Sequence, residues 1–295
     1  MITTDIKHPY KTKAADLHIH TTYSDGTYTP EEVIKEAKEN GLSAVAITDH
    51  DITNGIEPAL IYGAKVGIEV IPGIELSCVY NSTEIHILGY YINWENSWFQ
   101  GKLKIFQKAR ERRSYYILSK LRDIGINIDE QMLFSQASVG SISRIHFARC
   151  LVELGITKTH YEAFQKYLIE GKPAFVNKLR IAPEEALNMI HRVAGVAVLA
   201  HPIFGGKHKR FVSKLKRLGL GGIEVYHPSQ NDGQSRKFKK IAEELGLFMT
   251  GGTDAHGRKD EENPIGTLKI DYGLVEKMKE AKDRAERKNK IILMH

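Results

Sequence analysis

Short apolar, β-branched runs alternate with amphipathic stretches along most of this chain, and that alternation narrows the fold more than any other feature. AADLHIHTT reads as a first strand, followed by the turn SDGTYTP and a helix over residues 30–40. Pro30 in its first turn, Glu31 and Glu32 beside it and Gly41 just past its end are start and stop signals. LSAVAITDH, residues 69–75, EIHILGYYI, VAGVAVLAHP, LGGIEVYHP and LGLFMTGGTDAHG read as six further strands, the last three each preceded by a helical segment. Such alternation predicts a parallel sheet with crossover helices, and seven strands suit a barrel better than a small open sheet. The expected class is α/β, with a distorted seven-stranded (β/α)7 TIM-like barrel. Between residues 93 and 183 the pattern becomes mostly helical, with Phe106, Arg110, Arg113, Ile117 and Leu121 at three- and four-residue spacing. This predicts a barrel from residues 1–92 and 184–295, with 93–183 as a helical insertion capping its active face.

Composition removes several classes. With 295 residues, 42% hydrophobic and 26% charged, the chain can bury a sizeable core and is neither disordered nor fibrous. Two cysteines, Cys78 and Cys150, cannot build a disulfide framework or a four-thiolate zinc site. The opening MITTDIKHPYKTK lacks the apolar centre of a signal peptide, and no apolar run reaches the roughly 20 residues of a membrane span. A cytoplasmic protein without a membrane or obligate protein partner is expected. The net charge of +6 is concentrated in residues 101–122 and 205–217. That excess fits solvated helix faces or attraction to a polyanion such as a nucleotide or nucleic acid, and charge alone does not separate them.

The histidines are more informative. Of 13, six (His18, His20, His50, His86, His201 and His256) fall in or just after a predicted strand, as do Asp25, Glu75 and Asp254. Residues two apart in a strand share a face, so DLHIH aims Asp16, His18 and His20 the same way. In parallel α/β barrels the carboxyl ends of the strands form the rim where catalytic groups gather. A lone histidine on an apolar face is usually a core or capping residue. Nine ionisable groups at one rim would cost several kcal/mol each to bury unless something compensates them. Divalent cations do so, and mixed imidazole and carboxylate donors favour zinc, manganese or iron over calcium. Since a catalytic ion keeps about three protein ligands, nine donors imply two or three ions.

DLHIHTTYSDG, ITDHD, PGIE, the isolated His86, LAHP and GGTDAHG resemble the motif set of the PHP (polymerase and histidinol phosphatase) family of metal-dependent phosphoesterases. The resemblance implies a distorted seven-stranded barrel with up to three ions. One would be held by His18, His20, Glu75 and Asp254, a second by His86 and His201 with Glu75 bridging, and the third by Asp25, His50 and His256. SRIHFARCLVELG, GKPAFV, EEALNMIHRVAGVAVLAHP and YHPSQ are similar to the subgroup that hydrolyses nucleoside 3′,5′-bisphosphates and short RNA from the 5′ end. Ile145 stands where that subgroup's pattern has proline, while Arg144 and His146 are kept. Histidinol-phosphate phosphatases share the metal motifs but not the insertion.

The expected chemistry is attack of hydroxide on phosphorus, with ions about 3.5–4 Å apart making hydroxide available at neutral pH. Glu75 and Asp254 would organise that centre, and a third ion would polarise phosphate oxygens. Arg144, whose fork suits bidentate contact, and His146 would bind the substrate. His227, in EVYHP, would protonate the leaving oxygen or touch the phosphate. Asp16 and Asp49 would orient imidazoles. Gly251 and Gly252 would let the backbone approach closely, and Tyr23, Tyr226 and Phe204 would stack on a base or pack at the rim. The expected substrate is a small phosphorylated nucleotide, extending to short RNA. Two other readings stay open: a phosphatase of another metabolite such as histidinol phosphate, and a non-catalytic, metal-stabilised nucleic-acid-binding module.

Overall fold

The computed structural model describes residues 13–137, 142–202, 208–257 and 263–292. Strands β1 (Ala14–Ile19), β2 (Ala44–Ile47) and the first part of β3 (Glu69–Tyr80) run parallel, connected by α1 (Pro30–Glu39) and α2 (Ile56–Val66). The start of α1 is a reciprocal cap: Glu32 N donates to Thr29 Oγ1 at 3.2 Å, and Thr29 N donates to Glu32 Oε2 at 2.8 Å. Gly41 follows the helix with φ +72°, the left-handed turn the sequence signalled.

An all-parallel sheet is not what forms. Strand β4 (Thr83–Tyr90) is antiparallel both to the second part of β3 and to β5 (Val196–Leu199). Only Asn81 and Ser82 join β3 to β4, far too few residues for a crossover, and both have positive φ (47° and 64°) as a tight hairpin turn requires. β5, β6 (Gly222–Tyr226) and β7 (Phe248–Gly251) are again parallel. A two-residue strand, β8 (Ile270–Asp271), adds an antiparallel edge to β1 that the sequence did not signal. The barrel closes beyond β7, where Ile19 bridges Ala255 and His20 N donates to Ala255 O at 3.0 Å.

Between β4 and β5 lie α3 (Ser97–Asp123), α4 (Glu130–Ser135), α5 (Arg144–Glu153), α6 (His160–Ala163), which continues as one π turn, and α7 (Pro183–Arg192). α3 serves two cores. Its first half buries Phe99, Leu103 and Phe106 with Leu187 and Ile190 of α7 against the barrel. Its second half buries Ile117, Leu118 and Leu121 with Phe147 and Leu151 of α5 in a separate cluster drawn from residues 117–176. Arg110 and Arg113, on the same helical face, are also buried, each 6% exposed. Helices α8 (His208–Arg217) and α9 (Asp232–Leu245) make the crossovers to β6 and β7, and α10 (Gly273–Ile292) adds Val275 and Met278 to the interior of the barrel. Among the described residues, no helix is long and apolar enough to cross a membrane.

Gly252 sits where the chain passes close to β1: a Cβ there would lie 2.4 Å from His18 N and 2.5 Å from His18 Cβ. Gly252→Ala is therefore expected to force β1 and the segment after β7 apart and to destabilise the fold by about 1–3 kcal/mol. A shift in denaturant midpoint measures this, and an unchanged midpoint would refute the close approach.

Candidate metal centre

Strand periodicity brings the first donors together. His18 in β1 and His20 just beyond it share a face, and both are buried. His50 follows β2 and pairs with Glu75 of β3 in a parallel bridge; His201 follows β5, and Asp254 and His256 follow β7. His86 is the exception to the rim argument. Because β4 runs backwards, it reaches the same end of the barrel from the first half of its strand.

Glu75, fully buried, is the hub. Its Oε2 lies 2.9 Å from His50 Nδ1, 3.3 Å from His20 Nε2 and 3.4 Å from His18 Nε2. Its Oε1 lies 2.9 Å from His86 Nδ1 and 3.0 Å from His201 Nε2. Asp254 Oδ1 stands 3.1 Å from His20 Nε2 and 3.3 Å from His18 Nε2. Asp25 Oδ1 is 3.3 Å from His256 Nε2. His18, His20, Glu75 and Asp254 form one set of mutually close donors; His50, Glu75 and His86 form a second. A third joins Asp25, His50 and His256, and His20 belongs to it as well. His201 meets His86 at 3.3 Å, ring nitrogen to ring nitrogen. Asp254 and Asp51 hold left-handed backbone (φ +53° and +56°), a strain that clusters at functional sites.

These donors suit divalent cations. His18 Nε2, His20 Nε2, His50 Nδ1, Glu75 Oε2, Asp25 Oδ1 and Asp254 Oδ1 are buried without a hydrogen-bond partner, although they face one another. Such atoms are costly unless a cation takes their lone pairs. Their charges are already coupled. Burial opposes ionisation of Glu75, yet the imidazoles of His86, His50 and His18 hold its carboxyl well below the usual range. Burial opposes Asp254 as well, and His18 and His256 keep it low. Burial pushes His50 down to about 4, whereas at His86 the Glu75 carboxylate overcomes burial and raises the imidazole to about 9.

The surroundings correct part of the sequence reading. Asp16 orients no imidazole: it accepts Thr253 N at 2.9 Å, Thr253 Oγ1 at 2.7 Å and Gly266 N at 3.2 Å, locking the chain after β7. Asp49 accepts from Thr21 and from Ser24 Oγ (2.6 Å), and it is Ser24 Oγ, not Asp49, that approaches His20 Nδ1, at 3.5 Å. The carboxylate that does orient an imidazole, that of His18, is Glu224 of β6, absent from the sequence reading. Its Oε1 lies 3.0 Å from His18 Nδ1 and its Oε2 accepts His201 N at 2.7 Å. An acid inside the apolar run GIEVY was the available signal. Tyr226 packs against both barrel cores, Tyr23 lies half-buried in the turn after His20, and Phe204 lies outside the described residues.

His227 is buried, and its Nδ1 accepts Ser229 N at 3.1 Å; the ring proton is therefore on Nε2, 3.3 Å from Asp254 Oδ2. Arg144 and His146 lie in the first turn of α5. Burial keeps His146 neutral, pushing it down to about 4, and its Nδ1 accepts Ser143 N at 2.9 Å, which leaves Nε2–H as a donor. The insertion touches the centre through α3 and α5: Arg110 pairs with buried Asp51, next to His50, and Arg149 donates to Asp25 O at 3.0 Å.

A barrel with histidine and carboxylate donors converging at one rim defines a metal-dependent hydrolase. The sequence profile of the PHP domain matches residues 16–176. The chain is 34% identical over 249 residues to a 5′-3′ exoribonuclease of Haemophilus influenzae, covering 83% of this chain and 90% of that one. It is 33% identical over 260 residues to a 3′,5′-nucleoside bisphosphate phosphatase of Chromobacterium violaceum, covering 85% and 90%. A structure assigned as a metal-dependent phosphoesterase from Bifidobacterium adolescentis superposes with a TM-score of 0.84 at 27% identity, covering 90% and 95% of the two chains. This chain belongs to the PHP domain family, and it is a metal-dependent phosphoesterase.

Since Glu224 holds the His18 ring and the backbone of His201 at once, Glu224→Gln is expected to weaken metal binding by about 10–100-fold. Titration of the chelated protein with manganese or zinc reads this directly, and wild-type affinity in the variant would remove Glu224 from that role.

Proposed function

We propose that this chain removes a phosphate monoester from nucleoside 3′,5′-bisphosphates and trims short RNA from the 5′ end, with residues 93–183 acting as a cap over the active face. The observation that carries this reading is a surplus of positive charge where the insertion meets the donors around Glu75. Burial, with Arg144 and Arg110 nearby, pushes the Arg113 guanidinium down to about 9. Burial also lowers Arg144, with Arg180 and Arg110 adding to the effect against Glu84. So many crowded cations favour a substrate carrying more than one phosphate. The names of the two curated relatives agree with such substrates.

His18, His20, Asp25, His50, Glu75, His86, His201, Asp254 and His256 would hold two or three divalent ions, of manganese, zinc or iron. When bound, such ions supply Lewis acidity and make hydroxide available near neutral pH. The chain supplies the rest. Glu75 and Asp254 fix the relative positions of the imidazoles. Arg144 grips a phosphate oxygen with its planar fork, and His146 donates from Nε2 without adding charge. His227, whose proton sits on Nε2, donates a hydrogen bond from it to the leaving oxygen or to a phosphate oxygen, beside Asp254 Oδ2. The cap excludes bulk water and strengthens each of these contacts.

A substrate panel with metal analysis tests the reading. The kcat/KM for adenosine 3′,5′-bisphosphate should exceed that for histidinol phosphate by on the order of 100-fold. His18→Ala and Asp254→Ala should each lower metal content and turnover together, by on the order of 100-fold in rate. Histidinol phosphate as the better substrate would replace the nucleotide reading. Tight RNA binding with no turnover in manganese would indicate a non-catalytic module.

A further inference from the structure

One acid stands among the cations of the cap, and none of the chemistry above uses it. Glu84, two residues before His86 and therefore on the same face of β4, has a side chain 26% exposed. Its Oε1 accepts Lys178 Nζ at 2.9 Å and its Oε2 accepts an Arg180 Nη at 2.9 Å. An Arg144 Nη stands 4.0 Å from Oε2, beyond hydrogen-bond reach, and His86 Nε2 lies 3.5 Å from Oε1. Three cations from two separate segments of the insertion thus face one carboxylate.

These cations keep donor capacity that the protein does not use. Arg180 Nε is buried without a hydrogen-bond partner. Among the described residues Arg144 makes no hydrogen bond; its guanidinium lies 5.7 Å from the centre of the Phe164 ring. Lys178, with a side chain 11% exposed, and Arg180, 18% exposed, are too enclosed to spend their charge on bulk water. Partly enclosed cationic donors left over around a single carboxylate imply a second, transient acceptor of greater charge. A phosphate monoester dianion meets that need: with Glu84 it balances three positive charges, and its oxygens suit both guanidinium forks.

We infer that Lys178, Arg180 and Arg144 form the subsite for the phosphate that is not cleaved, and that Glu84 is its specificity-determining counter-charge. This rests on the bisphosphate reading above. Glu84 holds Lys178 and Arg180 in place before substrate arrives and shares them when the dianion binds. It also weakens the grip on the product, which still carries that phosphate, so that the product can leave.

The test is calorimetric binding of adenosine 5′-monophosphate, with adenosine as the phosphate-free comparator, to wild type, Glu84→Gln and Lys178→Met at matched metal content. Removing one negative charge beside the phosphate should tighten the monophosphate about tenfold in Glu84→Gln, and removing one positive charge should loosen it about tenfold in Lys178→Met. Adenosine affinity should move with neither. Glu84→Asp, which restores the charge, should return monophosphate affinity towards wild type even if Glu84→Gln also lowers thermal stability. Unchanged or weaker monophosphate binding in Glu84→Gln, or a parallel change in adenosine binding, overturns the inference. Turnover of adenosine 3′,5′-bisphosphate by the wild type is scored separately. Its absence together with tightened monophosphate binding would remove the substrate reading and leave the role of Glu84 standing.

Discussion

The carboxylate of Glu75, buried and surrounded by five imidazoles, is the interaction on which the rest of the structure depends. A charge in that position is tolerable only because every group around it can share it, and donors crowded so closely are tolerable only with cations to satisfy them. The barrel provides the rigidity. Except for Asp25, in the turn after β1, each donor sits in or shortly after a strand of the barrel, and Asp16 accepts from Thr253 and Gly266 to tie down the last of these segments. Glu224 then fixes the His18 ring and the backbone of His201 at once, so that the geometry survives the repulsion among the imidazoles.

The reversed strand gives the centre its asymmetry. A hairpin two residues long turns β4 against β3, so β4 presents Glu84 and His86 to the rim from its opening residues. On one side of this pair lies Glu75; on the other lie Lys178, Arg180 and Arg144. One strand thereby carries both an imidazole of the candidate metal centre and the acid that faces the cations, and the two meet at the 3.5 Å contact between His86 and Glu84.

The insertion is joined to the barrel by charge as well as by apolar packing. Arg110 reaches from α3 to Asp51, whose Oδ1 also accepts Ser77 N at 2.8 Å, and Asp51 and Ser77 lie beside His50 and close to Glu75. With Arg110 beside it, and Lys178 beyond, Asp51 stays down at about 2 even though burial works against its ionisation. Breaking a buried pair of this kind leaves an uncompensated charge, which is far more damaging than losing a surface pair. The position of α3 is consequently coupled to the segments that carry His50 and Glu75.

Sequence by itself determined the α/β class, six of the seven barrel strands in their parallel order and the start and stop of α1, and it singled out the nine imidazole and carboxylate side chains that the structure brings to one end of the barrel. Period-two alternation and strand-end placement are local signals, and the barrel turns them into convergence. The direction of β4 was also written locally, in the short Asn81–Ser82 link, but composition and alternation could not display it. The rest required the tertiary structure. Glu224 reads as one acid in an apolar strand, Arg110 as one cation on a helix face, and Glu84, Lys178 and Arg180 as ordinary surface charges. Their roles arise from partners 23 to 206 residues away in the chain, and no pattern within a single element can encode a distance of that kind.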